Sequence, residues 1–213
     1  MKLLLTSAGL TNKSIIKALH GLAGKELRFA FIPTSSNALD EEKGWLVKNF
    51  VECESLGEFD IVDISAIPKK LWLPRLKKAN VIVMGGGSAL YLIEKLRESG
   101  LDKELPALLT ERVYVGISAG SIVLSRNIMA SSKYIYGPAP EEAPAGLGYV
   151  DFYFQPHLNS KFFPKARLKT LEPIARQFKH DYYIGDDNTA IVVNEKDIKV
   201  VSEGKWKLFK NKR

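Results

Sequence analysis

Val113-Tyr114-Val115-Gly116-Ile117-Ser118-Ala119-Gly120-Ser121-Ile122-Val123-Leu124 joins an apolar strand-like run to an apolar helix-like run through the pattern Gly-x-Ser-x-Gly. This is the form of a nucleophile elbow, in which a serine occupies a sharp strand-to-helix corner with strained backbone angles. The small flanking residues have a steric reason, because a side chain at Gly116 or Gly120 would collide with the neighbouring strand or helix. The same corner aims the first amides of the helix at a reacting carbonyl, so the Ala119 N–H is a candidate oxyanion donor beside Ser118 Oγ. The competing reading is an ordinary glycine-rich βα turn, since so short a pattern also arises by chance.

Outward from the elbow, strands and helices alternate. Lys2 to Ser7 is an apolar run, and Ser14 to Leu22 carries Ile15, Ile16, Ala18, Leu19 and Leu22 at helical spacing. Leu27 to Pro33 reads as a strand buried on both faces, followed by the polar loop Thr34-Ser35-Ser36-Asn37 at its carboxyl end. Those hydroxyls are candidates for substrate contact, although capping and turn formation are commoner uses. Trp45 to Leu56 reads as a helix and Phe59 to Ile64 as a strand. Val81 to Met84 then runs into Gly85-Gly86-Gly87-Ser88 and a helix over Ala89 to Glu98, with a further helical segment from Leu101 to Glu111. After the elbow come a surface loop (Met129 to Ala145), a strand ending in Gln155-Pro156-His157, a helix over Arg167 to Phe178 and a strand at Tyr182 to Gly185. The turn Asp186-Asp187-Asn188 and a terminal meander (Ala190 to Val193, Ile198 to Ser202, Lys205 to Phe209) close the chain. This order predicts an α/β fold with a mainly parallel sheet, helices on both faces and a small antiparallel C-terminal extension, in a single domain over residues 1–213.

A chain of 213 residues with 46% hydrophobic content fills one α/β core and is short for two. No apolar run approaches the roughly 20 residues that span a bilayer. Met1 to Gly9 reads as a first buried strand and not a signal peptide. The single Cys53 excludes an internal disulfide and a cysteine-rich metal site, which fits a reducing, cytoplasmic setting. The net charge of +7 raises nucleic-acid binding as a function class. Against it, the lysines of the C-terminal segment alternate with apolar residues as on exposed edge strands, and no recognised nucleic-acid module is present.

A serine hydroxyl needs a base to become a nucleophile, usually histidine. His20 falls on a helix and His180 in the polar junction Lys179-His180-Asp181. His157 alone follows a buried strand directly, at the sheet edge where Ser118 is expected. The three glycines at Gly85 to Gly87 let backbone approach a ligand closely and free N–H groups at a helix start, which suits the second half of an oxyanion hole. They do not form a dinucleotide fingerprint.

Through Val83-Met84-Gly85-Gly86-Gly87-Ser88, Gly116-Ile117-Ser118-Ala119-Gly120-Ser121, Gly146-Leu147-Gly148-Tyr149-Val150-Asp151-Phe152 and Gln155-Pro156-His157, in order, the chain resembles the peptidase E (aspartyl dipeptidase) and cyanophycinase-like serine peptidases. The resemblance extends from the first strand to Asp186-Asp187-Asn188-Thr189-Ala190-Ile191-Val192-Val193. It implies a flavodoxin-like three-layer sandwich related to class I glutamine amidotransferases, with neither metal nor organic cofactor. By motif position it implies Ser118 as nucleophile, His157 as general base, and the Gly87 and Ala119 N–H groups as the oxyanion hole. The family's third member, an acid, falls at Lys133-Tyr134-Ile135-Tyr136, where this chain has no carboxylate. Glu142 is the expected replacement, with Glu141, Asp151, Asp186 and Asp187 as alternatives or none at all. Arg167, with Ser88, is the expected substrate-binding residue, a counterpart of the basic residue that holds an amino-terminal aspartate; Lys161, Lys165 and Lys169 are alternatives to Arg167. The expected function is hydrolysis of small peptides by a serine exopeptidase, with an Asp-X preference and a homodimer left open. The alternatives are an inactive member that binds a ligand or partner in the same cleft, an α/β-hydrolase esterase, and nucleic-acid binding.

Overall fold

In a computed structural model describing residues 1–128, 135 and 144–210, the core is a seven-stranded sheet. In chain order its strands are β1 (Lys2–Thr6), β2 (Arg28–Ile32), β3 (Glu58–Ile61), β4 (Val81–Met84), β5 (Val113–Ile117), β8 (Thr189–Asn194) and β9 (Asp197–Ser202). They lie side by side as β3-β2-β4-β5-β1-β8-β9. The first five are parallel, whereas β8 runs antiparallel to β1 and β9 antiparallel to β8. Alternation along each strand sends side chains to two separate cores. Leu3 and Leu5 of β1 join Ala30, Ile82 and Tyr114 on one face, while Leu4 joins Phe29, Phe31, Val81 and Val115 on the other.

Helices cover both faces, as the sequence predicts. On the Leu4 side lie α1 (Lys13–Ala23) and α2 (Gly44–Glu54), burying Ile15, Leu19 and Leu22, and Leu46 and Cys53. The side chain of Asn12 caps α1 by accepting the Ile15 N–H at 3.0 Å. Burial pushes the Cys53 thiol up to about 12, so it is an inert core group. On the other face lie α3 (Lys69–Lys78), α4 (Ala89–Ser99) and α5 (Leu101–Leu108). Helix α3 has no counterpart in the sequence reading: Pro74 and the basic cluster mask a pattern whose inward residues are Trp72 and Leu76.

The elbow helix α6 is shorter than expected, Ala119–Ile122, and gives way to turns. The C-terminal region also departs from the simple meander. Strands β6 (Phe152–Gln155), β7 (Asp181–Gly185) and β10 (Trp206–Phe209) form a second sheet ordered β10-β7-β6. β10 therefore pairs with β7 and not with β9. Phe152 and Phe154 face the main-sheet core, whereas Tyr182, Ile184 and Phe209 pack with Leu171 and Ala175 of α7 (Leu168–Ala175). No described helix is long and apolar enough to cross a membrane.

Candidate active site

Four chain segments converge at the carboxyl ends of β1, β4, β5 and β6. Ser118 ends β5 with φ 48° and ψ −105°, a backbone that a non-glycine residue adopts only under constraint. Its N–H is held by the Thr6 carbonyl at 3.0 Å. The glycines of the elbow are there for closeness. A methyl on Gly120 would stand 2.1 Å from the Met84 carbonyl oxygen of β4, and one on Gly116 would stand 2.7 Å from the Ser121 nitrogen of α6. The fully buried Tyr114 supports the corner from below, its hydroxyl donating to the Gly120 carbonyl at 2.6 Å. Gly120→Ala is expected to cost about 1–3 kcal/mol through overpacking, read as a lowered Tm in thermal denaturation; an unchanged Tm would mean that β4 yields freely.

His157 follows β6 and, like Ser118, has a left-handed backbone, with φ 66°. Its ring is hydrogen-bonded at both nitrogens, Nε2 to Ser118 Oγ at 2.9 Å and Nδ1 to Asp187 Oδ1 at 2.6 Å. The Phe163 ring lies against it with centroids 4.6 Å apart. A carboxylate can only accept, so Nδ1 carries the proton and Nε2 is left to accept from the serine hydroxyl. Burial alone would raise the Asp187 carboxyl. The hydrogen bond and charge of His157, the Ser7 hydroxyl and the Lys48 ammonium outweigh it and hold the group below the ordinary aspartate value.

Among the described residues the acid beside His157 is thus Asp187, from the turn between β7 and β8 and one of the alternatives to Glu142 in the sequence reading. Glu141 and Glu142 lie outside the described residues. Asp151 is engaged elsewhere, 3.5 Å from Arg126 Nε and 3.2 Å from His180 Nδ1. Asp186 builds the turn, accepting from Asn188 N and Thr189 Oγ1 at 3.0 Å and from Lys205 N at 2.5 Å. His20 has a local role at the end of α1, with Nδ1 2.9 Å from the Gly24 carbonyl.

The glycine loop stands beside the serine. A methyl on Gly86 would lie 3.6 Å from Ser118 Cβ and 3.5 Å from Trp45 Cζ3, so the Trp45 ring of α2 borders the space beside the elbow. Gly87 has φ 138°, and a side chain there would meet the Ser35 carbonyl at 2.3 Å. Among the described residues, neither the Gly87 N–H nor the Ala119 N–H has a hydrogen-bond partner. Both are therefore free to donate. Ser35, fully buried, fixes the loop from behind through its hydroxyl, 2.9 Å from the Gly85 carbonyl and 2.5 Å from that of Gly86. Its neighbours Thr34 and Asn37 are tied to Asp63 at 2.7 Å. The polar loop after β2 is a brace for the glycine loop.

Ser88 caps α4, its hydroxyl accepting the Tyr91 N–H at 3.2 Å. Arg167 directs Nη1 to the carbonyls of Ser160, Phe163 and Ala166 at 3.1–3.2 Å, which closes the loop that follows His157. Among the described residues its other guanidinium nitrogens have no partner, and no group of three or more His, Cys, Asp or Glu could hold a metal. A recess of about 400 Å³ includes Asp187, Asn188, Leu158 and Lys205 in its lining. Another, of about 430 Å³, lies between α3 and α4 and is lined by none of Ser118, His157 and Asp187.

The model of peptidase family S51 matches residues 3–201. An uncharacterized peptidase from Listeria innocua is 28% identical over 193 residues, which is 86% of this chain and 88% of that protein. Peptidase E from Nostoc sp. is 27% identical over 160 residues, 72% of this chain and 63% of its own. A solved structure assigned to peptidase E from Listeria monocytogenes EGD-e has a TM-score of 0.76 at 24% identity, covering 94% of this chain and 98% of that one. A peptidase from an acI-B1 Actinobacterium has a TM-score of 0.71 at 19% identity, covering 99% and 94%. The two structures agree in fold, and the sequence matches define the class: the protein is a peptidase. The chain belongs to peptidase family S51 and is of the peptidase E type.

Proposed function

We propose that the protein is a serine peptidase that hydrolyses small peptides, as a dipeptidase or exopeptidase, through an acyl-enzyme on Ser118. The observation that carries this reading is the continuous hydrogen-bonded row Ser118 Oγ, His157 Nε2, His157 Nδ1, Asp187 Oδ1. Ser118 attacks the scissile carbonyl as His157 takes its proton at Nε2, and Asp187 keeps the imidazole in the accepting tautomer and stabilises the imidazolium. The Gly87 and Ala119 N–H groups receive the developing oxyanion. Collapse of the tetrahedral species returns the proton from His157 to the departing amine. Water, deprotonated by the same histidine, then releases the acid product. The inactive-member reading drew its weight from a missing acid, and Asp187 supplies one.

The narrower proposal is preference for an amino-terminal aspartate, with the unengaged part of the Arg167 guanidinium receiving its carboxylate. A fluorophosphonate probe should label the folded protein at Ser118, and an Asp-X against Leu-X dipeptide panel should favour Asp-X, with Arg167→Ala raising KM for Asp-X alone. No labelling would overturn the serine mechanism. Cleavage of both panels alike would overturn only the aspartyl preference.

A further inference from the structure

Ser7 stands directly after β1 and is fully buried, yet it makes no contribution to the sheet beyond its N–H bond to the Thr189 carbonyl at 3.0 Å. Its hydroxyl faces the row. It accepts the backbone N–H of His157 at 2.9 Å and donates to Asp187 Oδ1 at 3.2 Å, the same oxygen that receives His157 Nδ1. The preceding residue completes the pattern, since the Thr6 carbonyl accepts both the Ser118 N–H at 3.0 Å and the Ser121 hydroxyl at 2.8 Å. The dipeptide Thr6-Ser7 therefore touches every member of the row, and the Ser7 hydroxyl links the histidine backbone to the aspartate.

Such a link answers a physical problem. His157 is not glycine, and its φ of 66° lies in a strained region that persists only where the surroundings fix it. His157 follows β6 of the second sheet and Ser118 follows β5 of the main sheet, while Asp187 lies in the turn between β7 of the second sheet and β8 of the main one. One hydroxyl bonded to the histidine backbone and to the carboxylate holds both to β1, the strand that lies between β5 and β8.

We propose that Ser7 is a positioning residue of the peptidase, acting through His157 and Asp187 to keep the base aligned with Ser118, so that the working unit is a tetrad. This rests on the reading of Ser118, His157 and Asp187 given above. Ser7→Ala is expected to lower kcat on a cleaved dipeptide by about 10- to 100-fold, the worth of one or two hydrogen bonds, with KM little changed. Ser7→Thr, which keeps the hydroxyl, should recover most of the loss. In a His157→Ala background there is no base left to align, so adding Ser7→Ala should leave the residual fluorophosphonate labelling rate where it was. If Ser7→Ala fails to fold, the near-isosteric Ser7→Cys carries the same test, since a thiol is a poor substitute for this donor and acceptor. Wild-type kcat in Ser7→Ala or Ser7→Cys, a loss confined to KM, or a further loss in the His157→Ala background would each overturn the proposal. Ser118→Ala separates the two levels: if it still turns over substrate, the catalytic row is wrong, whereas if it is dead and Ser7→Ala is fully active, Ser7 alone is wrongly assigned.

Discussion

Ser118→Ala protein is expected to fold normally and to lose about 10^4- to 10^6-fold in kcat, the range set by removing a nucleophile that works as a unit with its base. Folding should survive because the constraints on the corner are made by backbone and by neighbours. The Ser118 N–H to Thr6, the Ser121 hydroxyl to Thr6 and the Tyr114 hydroxyl to Gly120 all remain. What disappears is the hydroxyl facing His157 Nε2. Steady-state kinetics on a cleaved dipeptide, together with circular dichroism to establish folding, make the measurement. Retention of activity within a factor of ten would remove Ser118 from the chemistry.

Asp187→Asn should cost about 10^4-fold in kcat with the fold intact. The reason lies in proton direction. An asparagine amide that donates to Nδ1 forces the imidazole proton onto Nε2, where it can no longer accept from Ser118, and no amount of correct geometry repairs the wrong tautomer. Glu142→Gln is not expected to share this loss, which separates the aspartate from the glutamate favoured by position in the sequence. The same variant carries a pH signature. Because the Asp187 carboxyl is held below its ordinary value, its contribution to stability is complete above the unfolded aspartate pKa of about 3.9 and is lost as pH falls through the lower folded value. Tm of the wild type should therefore drop more steeply than that of Asp187→Asn below about pH 4. Parallel curves there, or full activity in the variant, would show that Asp187 does not do this work.

The sequence is most legible where the chemistry is local. Gly116 to Gly120 encloses the serine in one contiguous pattern, and the glycines are needed for contacts that adjacent strand and helix make inevitable. His157 is readable from its position after a strand and a proline. The sequence offers Asp187 only as one of several alternatives, because choosing among them depends on long-range register: it lies 30 residues beyond His157, on a turn whose placement follows from β8 docking against β1. Alternating hydrophobicity identifies both as strands but does not say that they are neighbours. The bracing roles of Ser7 and Ser35 escape the sequence for another reason. Small polar residues at strand ends most often cap or turn, and only the partners of their hydroxyls distinguish a brace from a cap. The second sheet was hidden because β6, β7 and β10 have the same strand-like composition as the main sheet.

The interior position of β1, between β5 and β8, has a consequence for when this peptidase exists at all. Its two neighbours are Val113–Ile117 and Thr189–Asn194, so β1 is paired on both sides only after residues 189–194 have been made. On the proposed roles, a nascent chain lacks its base until residue 157 and its acid until residue 187, and it folds against a high entropic cost of long-range closure until then. The order of residues along the polypeptide thus acts as a safety catch, keeping the hydrolytic site unassembled while the protein is itself an unfolded peptide among others.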